Sequence, residues 1–301
     1  MKLITKIKWL LKQLCPYRLI VNRNNKKQRE KEKKENKIRD YFLNLEDSHD
    51  DAEMLEIKRY FINLKFTIFP YEFNQKYYNL HINVFFDNEG SMNYVFYENK
   101  RLYFPDNYNR DAVERYFVSL LLEQDLNSPH RYETDQYMVK EGDKIVDIGA
   151  AEGIWALNYV EIAKHIYIFE CDKNWVKALQ KTFEPWKEKV TIIGKYVSDR
   201  NDAENITLDE CLNNASINFV KIDAEGMEMS ILRGGKALFT NNQDIKLLVC
   251  TYHKQNDAIE IKDFLELLHY QTEYSKGYIL FIYDELLNEP YARRCLLRAM
   301  R

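Results

Sequence analysis

Glycine is scarce in this chain of 301 residues: there are nine, and only Gly90 precedes position 142. A long stretch with so little glycine has few sites for tight left-handed turns, so the cluster after 142 marks a change of architecture near residue 140. The five cysteines, Cys15, Cys171, Cys211, Cys250 and Cys295, include no C-x-x-C pair and no Cys/His cluster with metal spacing. That excludes a zinc-ribbon or disulfide scaffold and leaves the reduced thiols of a cytoplasmic protein as the expectation. No apolar run reaches the ~18–20 residues that span a bilayer. Lysines interrupt the apolar stretch at the start, so a secretory signal is not expected. Internal repeats are absent.

Tyrosine (22) and phenylalanine (16) are abundant, which predicts an aromatic-rich core. The net charge of −3 is strongly polarised. Residues 1–39 carry 14 Lys and Arg against 3 Glu, and the remainder carries 30 basic against 44 acidic residues. In the first segment Leu3, Ile4, Ile7, Leu10, Leu11 and Leu14 recur at helical spacing opposite Lys2, Lys6, Lys8 and Lys12. Such a helix can lie on an anionic membrane surface through residues 1–20, or dock on the protein's own core. The charged linker up to 36 has no interleaved aromatics, so no nucleic-acid partner is expected.

Residues 37–135 read as a small α+β region that could cap a substrate. A helix is expected around 50–62, strand-like content over 77–87, a hairpin turning at Glu98–Asn99–Lys100, and a helix carrying Val113, Tyr116, Phe117, Leu120 and Leu121. From 136 to 301 short apolar strands alternate with amphipathic helices. This predicts βαβ units and a parallel, doubly wound α/β sheet covered on both faces. YILFIYD and CLLRAM are expected as antiparallel edge strands.

In such a sheet ligands bind beyond the carboxyl ends of the strands, so each tip can be read for what it delivers. The first gives Asp147-Ile148-Gly149-Ala150-Ala151-Glu152-Gly153. Its G-x-x-x-G spacing differs from the G-x-G-x-x-G of a nicotinamide site, and Asp147 would repel a phosphate. The loop suits a ligand with an ammonium group and a sulfonium centre, with Gly153 allowing close approach. The second tip gives Glu170, an acceptor for ribose hydroxyls or a helix N-terminal charge. The third gives Val197 and Ser198, an adenine pocket or an ordinary polar loop. The fourth gives Lys221, Asp223, Glu225 and Glu228, and the fifth Tyr252 and His253. A histidine at a tip can take a proton from a hydroxyl or serve as a surface cap.

VDIGAAEG, IYIFECD, KYVSD, TLDECL and above all VKIDAEGMEMSILRGG together resemble the FkbM family of S-adenosylmethionine-dependent methyltransferases over about 144–250. The resemblance implies a class I methyltransferase, Rossmann-like fold that binds S-adenosylmethionine. It also implies O-methylation, often of sugar hydroxyls in surface polysaccharides and related glycoconjugates. By it, Asp147, Gly149 and Gly153 form the cofactor loop, Glu170 takes the ribose, and Asp223, Glu225 and Glu228 stand at the reaction end; Ala150, Glu152, Val197, Ser198 and Asp223 are further candidates for cofactor contact. Two departures are Ala151, where asparagine is common, and Thr251–Tyr252 ahead of His253, where an acid often stands. The candidate bases are His253 first and Asp223 second, with Glu225 beside them. His130, Arg131, Tyr132 and Tyr252 are candidates for holding the acceptor. The scheme requires no metal, and no residue is assigned as a ligand, although the acids around Asp223 could hold Mg²⁺. The competing readings are a nicotinamide-dependent oxidoreductase and an inactive Rossmann-like binding module.

Overall fold

The computed structural model describes residues 27–213, 215–242, 244–283 and 287–301. The amphipathic segment expected over residues 1–20 lies outside them. The charged stretch that follows is helical: α1 covers 27–43, exposed in its first turns, with Ile38 and Phe42 fully buried near its end. In α2 (Ala52–Asn63) the Asp51 carboxylate caps the Glu53 and Met54 N–H groups. The stretch 77–87 is strand only at β1 (Phe85–Asp87). The expected hairpin forms from β2 (Met92–Tyr97) and β3 (Lys100–Tyr103). Glu98 and Asn99 both take positive φ, 46° and 63°, as a two-residue turn with the strands' own twist requires. Asn109 caps α3 (Arg110–Glu123).

The second half alternates as expected. It runs β4 (Lys144–Ile148), α4 (Ile154–Tyr159), β5 (His165–Phe169), α5 (Lys173–Thr182), β6 (Val190–Ile193), β7 (Tyr196–Val197), β8 (Asn205–Ile206), α6 (Leu208–Cys211) and β9 (Phe219–Ile222). It continues with α7 (Glu228–Gly234), α8 (Lys236–Asn241), β10 (Lys246–Cys250), α9 (Asp257–Leu267), β11 (Gln271–Tyr274), β12 (Tyr278–Ile279), β13 (Arg293–Arg294) and β14 (Leu296–Met300). The helix expected over MSILRGGKALF is two helices. Gly234 lies so close to the β7–β8 loop that a Cβ there would stand 2.0 Å from the Ser198 carbonyl oxygen.

Among the described residues, seven strands form one sheet in the order β11-β14-β10-β9-β4-β5-β6. The five from β10 to β6 are parallel, and β14 runs antiparallel between β10 and β11. CLLRAM is thus an antiparallel strand beside the parallel set, but an interior one, where an edge strand was expected. YILFIYD is not part of this sheet: Tyr278 and Ile279 pair with β13 instead, and the edge is the polar QTEY of β11. The chain leaves β4 toward β5 and β6 but returns to β9 and β10 on the other side. The β4/β9 seam is therefore the topological switch point, where open sheets of this kind bind ligands.

Alternation along the strands divides the core. Ile145, Ile166, Ile168, Phe219 and Leu248 face α3, α4 and α5, while Val146, Ile148, Val220, Ile222, Leu247 and Val249 face α7, α8 and α9. A third core unites α1 and α2 with residues far along the chain. Ile38, Phe42, Ile57 and Phe61 pack with Ile279, Leu280, Ile282, Tyr291 and Cys295. The apolar run 278–282 therefore closes the N-terminal core instead of extending the sheet. Because this core joins both halves, Leu280→Ala should lower the stability of the whole chain by about 2–5 kcal/mol. Urea denaturation should show this as one shifted transition; a separate early transition confined to the N-terminal helices would contradict it.

Candidate active site

The tips of β4, β5 and β9 open into a cavity of about 590 Å³, within the range of small-molecule sites. Its floor is the loop Gly149–Ala150–Ala151–Glu152. Gly149 has φ 69°, and a Cβ there would lie 1.8 Å from the Asp223 carbonyl oxygen. Glycine is thus required for the two central strand ends to come together. Ala151 is held at φ 46°, which aims its N–H at Glu170 Oε2, 2.9 Å away. The other Glu170 oxygen accepts the Asp172 N–H at 2.8 Å. Glu170, Val197, Asp223, Glu225, Tyr132 and Tyr252 all line the cavity.

Asp147 does not. It is 0% exposed and lies behind the floor. Register explains this: Asp147 is directly opposite Lys221 on the neighbouring strand, on the same face of the sheet. The Lys221 ammonium stands 3.0 Å from Asp147 Oδ1 and 3.0 Å from the Gly149 carbonyl oxygen, and it reaches the cavity wall. Asp147 and Asp223 hold Lys221 above its ordinary pKa despite burial. The charged group at the cavity wall is therefore Lys221, which Asp147 fixes in place, and not Asp147 itself. Gly153 is also set back from the cavity, against Leu179 and Phe183, so it serves packing where a ligand contact was expected. Ser198 is buried, with its hydroxyl turned to the Arg200 carbonyl.

Asp223 lies on the same strand face as Lys221, one step beyond the end of β9. Its Oδ2 accepts the Tyr132 hydroxyl at 2.8 Å and its Oδ1 the Tyr252 hydroxyl at 3.4 Å. His130 Nε2 is 3.7 Å from Oδ2 and His253 Nε2 is 3.6 Å from Oδ1. Burial opposes ionisation, but Lys221 foremost, then the two histidines and the Tyr132 hydroxyl, bring its pKa down to about 2. So acidic a carboxylate is an organiser of donors and a poor proton acceptor.

The expected base, His253, is 7% exposed and lies behind Asp223, off the cavity wall. Its Nδ1 is 2.8 Å from Glu228 Oε1, an oxygen that also accepts the Ala224 and Gly226 N–H groups. Burial opposes protonation of His253, yet Glu228 and then Asp223 raise its pKa. His253 therefore reinforces Asp223 and does not meet a ligand directly. The acceptor-holding trio also divides. Tyr132 reaches the cavity; His130 is buried beneath Tyr252, its pKa pushed down by burial to about 4. Arg131 turns away to the Gln124 carbonyl, 2.8 Å distant. Asp223, Glu228 and His253, and likewise His130, Asp223 and Cys250, are near enough to share a metal ion.

Several wall residues were not singled out as site residues. From α3 come Tyr116, Leu120 and Glu123; from the start of α5, Trp175; from beyond β6, Lys195 and Tyr196. Tyr116 donates to Glu152 Oε2 at 3.1 Å. The spacing 116, 120, 123 places one stripe of α3 over the cavity. A charged residue ending an otherwise apolar stripe was the available signal.

Seven strands in this order, with an antiparallel strand beside β10 and a ligand-sized cavity at the switch point, define a class I methyltransferase fold. The methyltransferase FkbM domain family matches residues 186–280. Among solved structures it is similar to the methyltransferase FkbM from Methylobacillus flagellatus KT, at 15% identity and TM-score 0.47, over 64% of this chain and 55% of that one. It is also similar to M. capricolum TrmK in complex with S-adenosyl-homocysteine (15% identity, TM-score 0.37, 54% and 64%) and to Pyrococcus abyssi Trm5b (12%, 0.40, 70% and 56%). The chain thus spans about half the length of the M. flagellatus protein. No curated protein sequence matches it.

Among the described residues no helix is long and apolar enough to cross a membrane.

Removing one partner of a buried ion pair strands the other. Lys221→Met should cost about 3–5 kcal/mol, most of which Asp147→Leu with Lys221→Met should regain. Chemical denaturation of both variants checks this; equal instability of single and double variants would contradict it.

Proposed function

We propose that the chain transfers a methyl group from S-adenosylmethionine to a hydroxyl of a sugar or glycan acceptor, in the making of a surface polysaccharide or related glycoconjugate. The observation that carries this reading is that Glu170 and Asp223 line one cavity over a floor stripped of side chain at Gly149. Each Glu170 oxygen accepts one backbone N–H and retains lone-pair capacity for a ribose hydroxyl. Trp175, Val197 and Tyr196 give a largely apolar wall for a flat base. Glu123, Glu152, Glu170, Asp223 and Glu225 outnumber Lys195 and Lys221 on the wall, which favours a ligand with ammonium and sulfonium charges. The same excess of acid disfavours the pyrophosphate of a nicotinamide dinucleotide.

S-adenosylmethionine supplies an activated methyl group on a sulfonium, a good leaving group. The protein's work is then alignment and exclusion of water, which together supply up to ~7–11 kcal/mol in well-ordered cases. Tyr132 and Tyr252 present hydroxyls at Asp223, and Glu225 stands at the rim with its side chain 91% exposed. This mixture of hydroxyl donors and carboxylate acceptors suits a polyol. Cytoplasmic residence, with residues 1–20 against an anionic membrane surface, belongs to the same reading and is supported by the charge polarisation of the sequence.

Hydrogen bonds to a charged group are worth about 1.5–3 kcal/mol. Glu170→Gln should therefore weaken S-adenosylhomocysteine binding about 10–100-fold, measured by isothermal titration, and lower the unliganded thermal midpoint modestly, because its amide NH2 meets one of the two backbone N–H donors. Unchanged affinity, or no binding by the native protein at millimolar ligand, would remove the donor-site reading.

A further inference from the structure

The carboxylates around the cavity are unequally provided for. Glu170 takes two backbone N–H groups, Glu152 takes the Tyr116 hydroxyl, and Asp223 is surrounded by tyrosine hydroxyls, histidines and Lys221. Glu225 extends from the rim into solvent. Glu123 differs from all of these. It ends α3, continues the stripe of Tyr116 and Leu120 onto the wall, and takes no hydrogen bond or ion pair from the described residues. It is also rigidly placed. The adjacent Gln124 accepts the Tyr132 N–H on its side-chain oxygen at 3.2 Å, and Arg131 grips the Gln124 carbonyl at 2.8 Å. The end of α3 is thereby tied to the segment that delivers the Tyr132 hydroxyl to Asp223.

We propose that Glu123 is the proton acceptor of the reaction, a carboxylate that faces the transferring methyl group and takes the proton of the attacking hydroxyl. This deepens, and rests on, the methyl-donor reading of the same cavity. The acceptor O–H bond breaks with its proton passing to a Glu123 oxygen. The acceptor oxygen forms a bond to the methyl carbon as the carbon–sulfur bond breaks, and the sulfonium keeps that electron pair as a neutral thioether. Protonated Glu123 then gives the proton to water. An acceptor group must be free of protein donors and reach the cavity, and Glu123 meets both conditions where Asp223 and His253 do not.

The surroundings tune the group for this task. Asp223, Glu152 and Lys221 lie within electrostatic range of it, as do Tyr116 from its own helix, Tyr252 beyond the end of β10 and Cys295 between β13 and β14. Burial, then the charges of Asp223 and Glu152, push its pKa up to about 8 against the pull of Lys221. A base is most effective with a pKa near the working pH. A positive sulfur placed beside it favours the ionised form before the hydroxyl arrives.

S-adenosylmethionine and S-adenosylhomocysteine differ by the reacting methyl group and its charge, so comparing them reads the distance of a titrating group from the reacting centre. Isothermal titration between pH 6.5 and 8.5, in buffers of different ionisation enthalpy, is therefore the test. In the native protein S-adenosylmethionine should bind with release of a fraction of a proton, and its affinity should rise several-fold with pH relative to Glu123→Gln. S-adenosylhomocysteine should show no such difference between the two proteins. Because a raised carboxyl pKa favours folding below the unfolded value and loses that contribution as pH rises through 8, the thermal midpoint of native protein should fall more steeply over this range than that of Glu123→Gln. Glu123→Ala should give the same reduced proton release and pH dependence if the Gln variant fails to fold. Equal proton release and equal pH dependence in native and variant proteins, with S-adenosylmethionine bound, overturn the role of Glu123 alone. Absence of S-adenosylmethionine binding to native protein overturns the donor reading and the inference with it.

Discussion

The structure turns on one buried ammonium group. Lys221 sits on the seam between the two central strands, paired with Asp147 and bonded to the carbonyl of Gly149. A lone carboxylate buried as deeply as Asp147 would be strongly disfavoured, and so would a lone lysine; together they are tolerated and lock the tips of β4 and β9 in register. The rest of the site follows from that lock. Gly149 has to be glycine because the Asp223 backbone passes so close to it. Asp223 then emerges beside Lys221, where a positive charge and several hydroxyl and imidazole donors keep it ionised.

Much of the fold was legible because its signals are local. Short apolar strands, capped amphipathic helices and a two-residue hairpin turn are written in neighbouring residues. The failures are long-range. QTEY is polar because it forms the outer edge of the sheet, so no apolar pattern announced it. The run 278–282 is apolar because Ile279, Leu280 and Ile282 fill the core under α1 and α2, a destination that its own composition does not encode. At the site, Glu170 and Asp223 were legible from strand-tip position. The partner of Asp147 was not, since it depends on the register between β4 and β9. His253 and Arg131 were expected to meet a ligand; sequence order alone does not show which side of a residue's backbone meets the cavity.

The site also illustrates a division of labour among ionisable groups. Those with many partners, Asp147, Lys221, Asp223 and His253, hold geometry. Those with few, Glu123 and Glu225, remain available to a ligand. An excess of acid that would be a liability in an empty cavity becomes an attraction for a cation. Burial raises the pKa of Glu152 to about 7 as it raises that of Glu123. Part of this repulsion is thus relieved by protonation near neutral pH until a positive ligand enters.

If the switch-point cavity holds the methyl donor, a crystal structure of the protein with S-adenosylhomocysteine should show ribose hydroxyls on the Glu170 carboxylate, the base against Trp175 and Val197, and the sulfur directed toward Asp223 and Glu123. Ligand bound elsewhere, or in the cavity with its ribose away from Glu170, would contradict that placement.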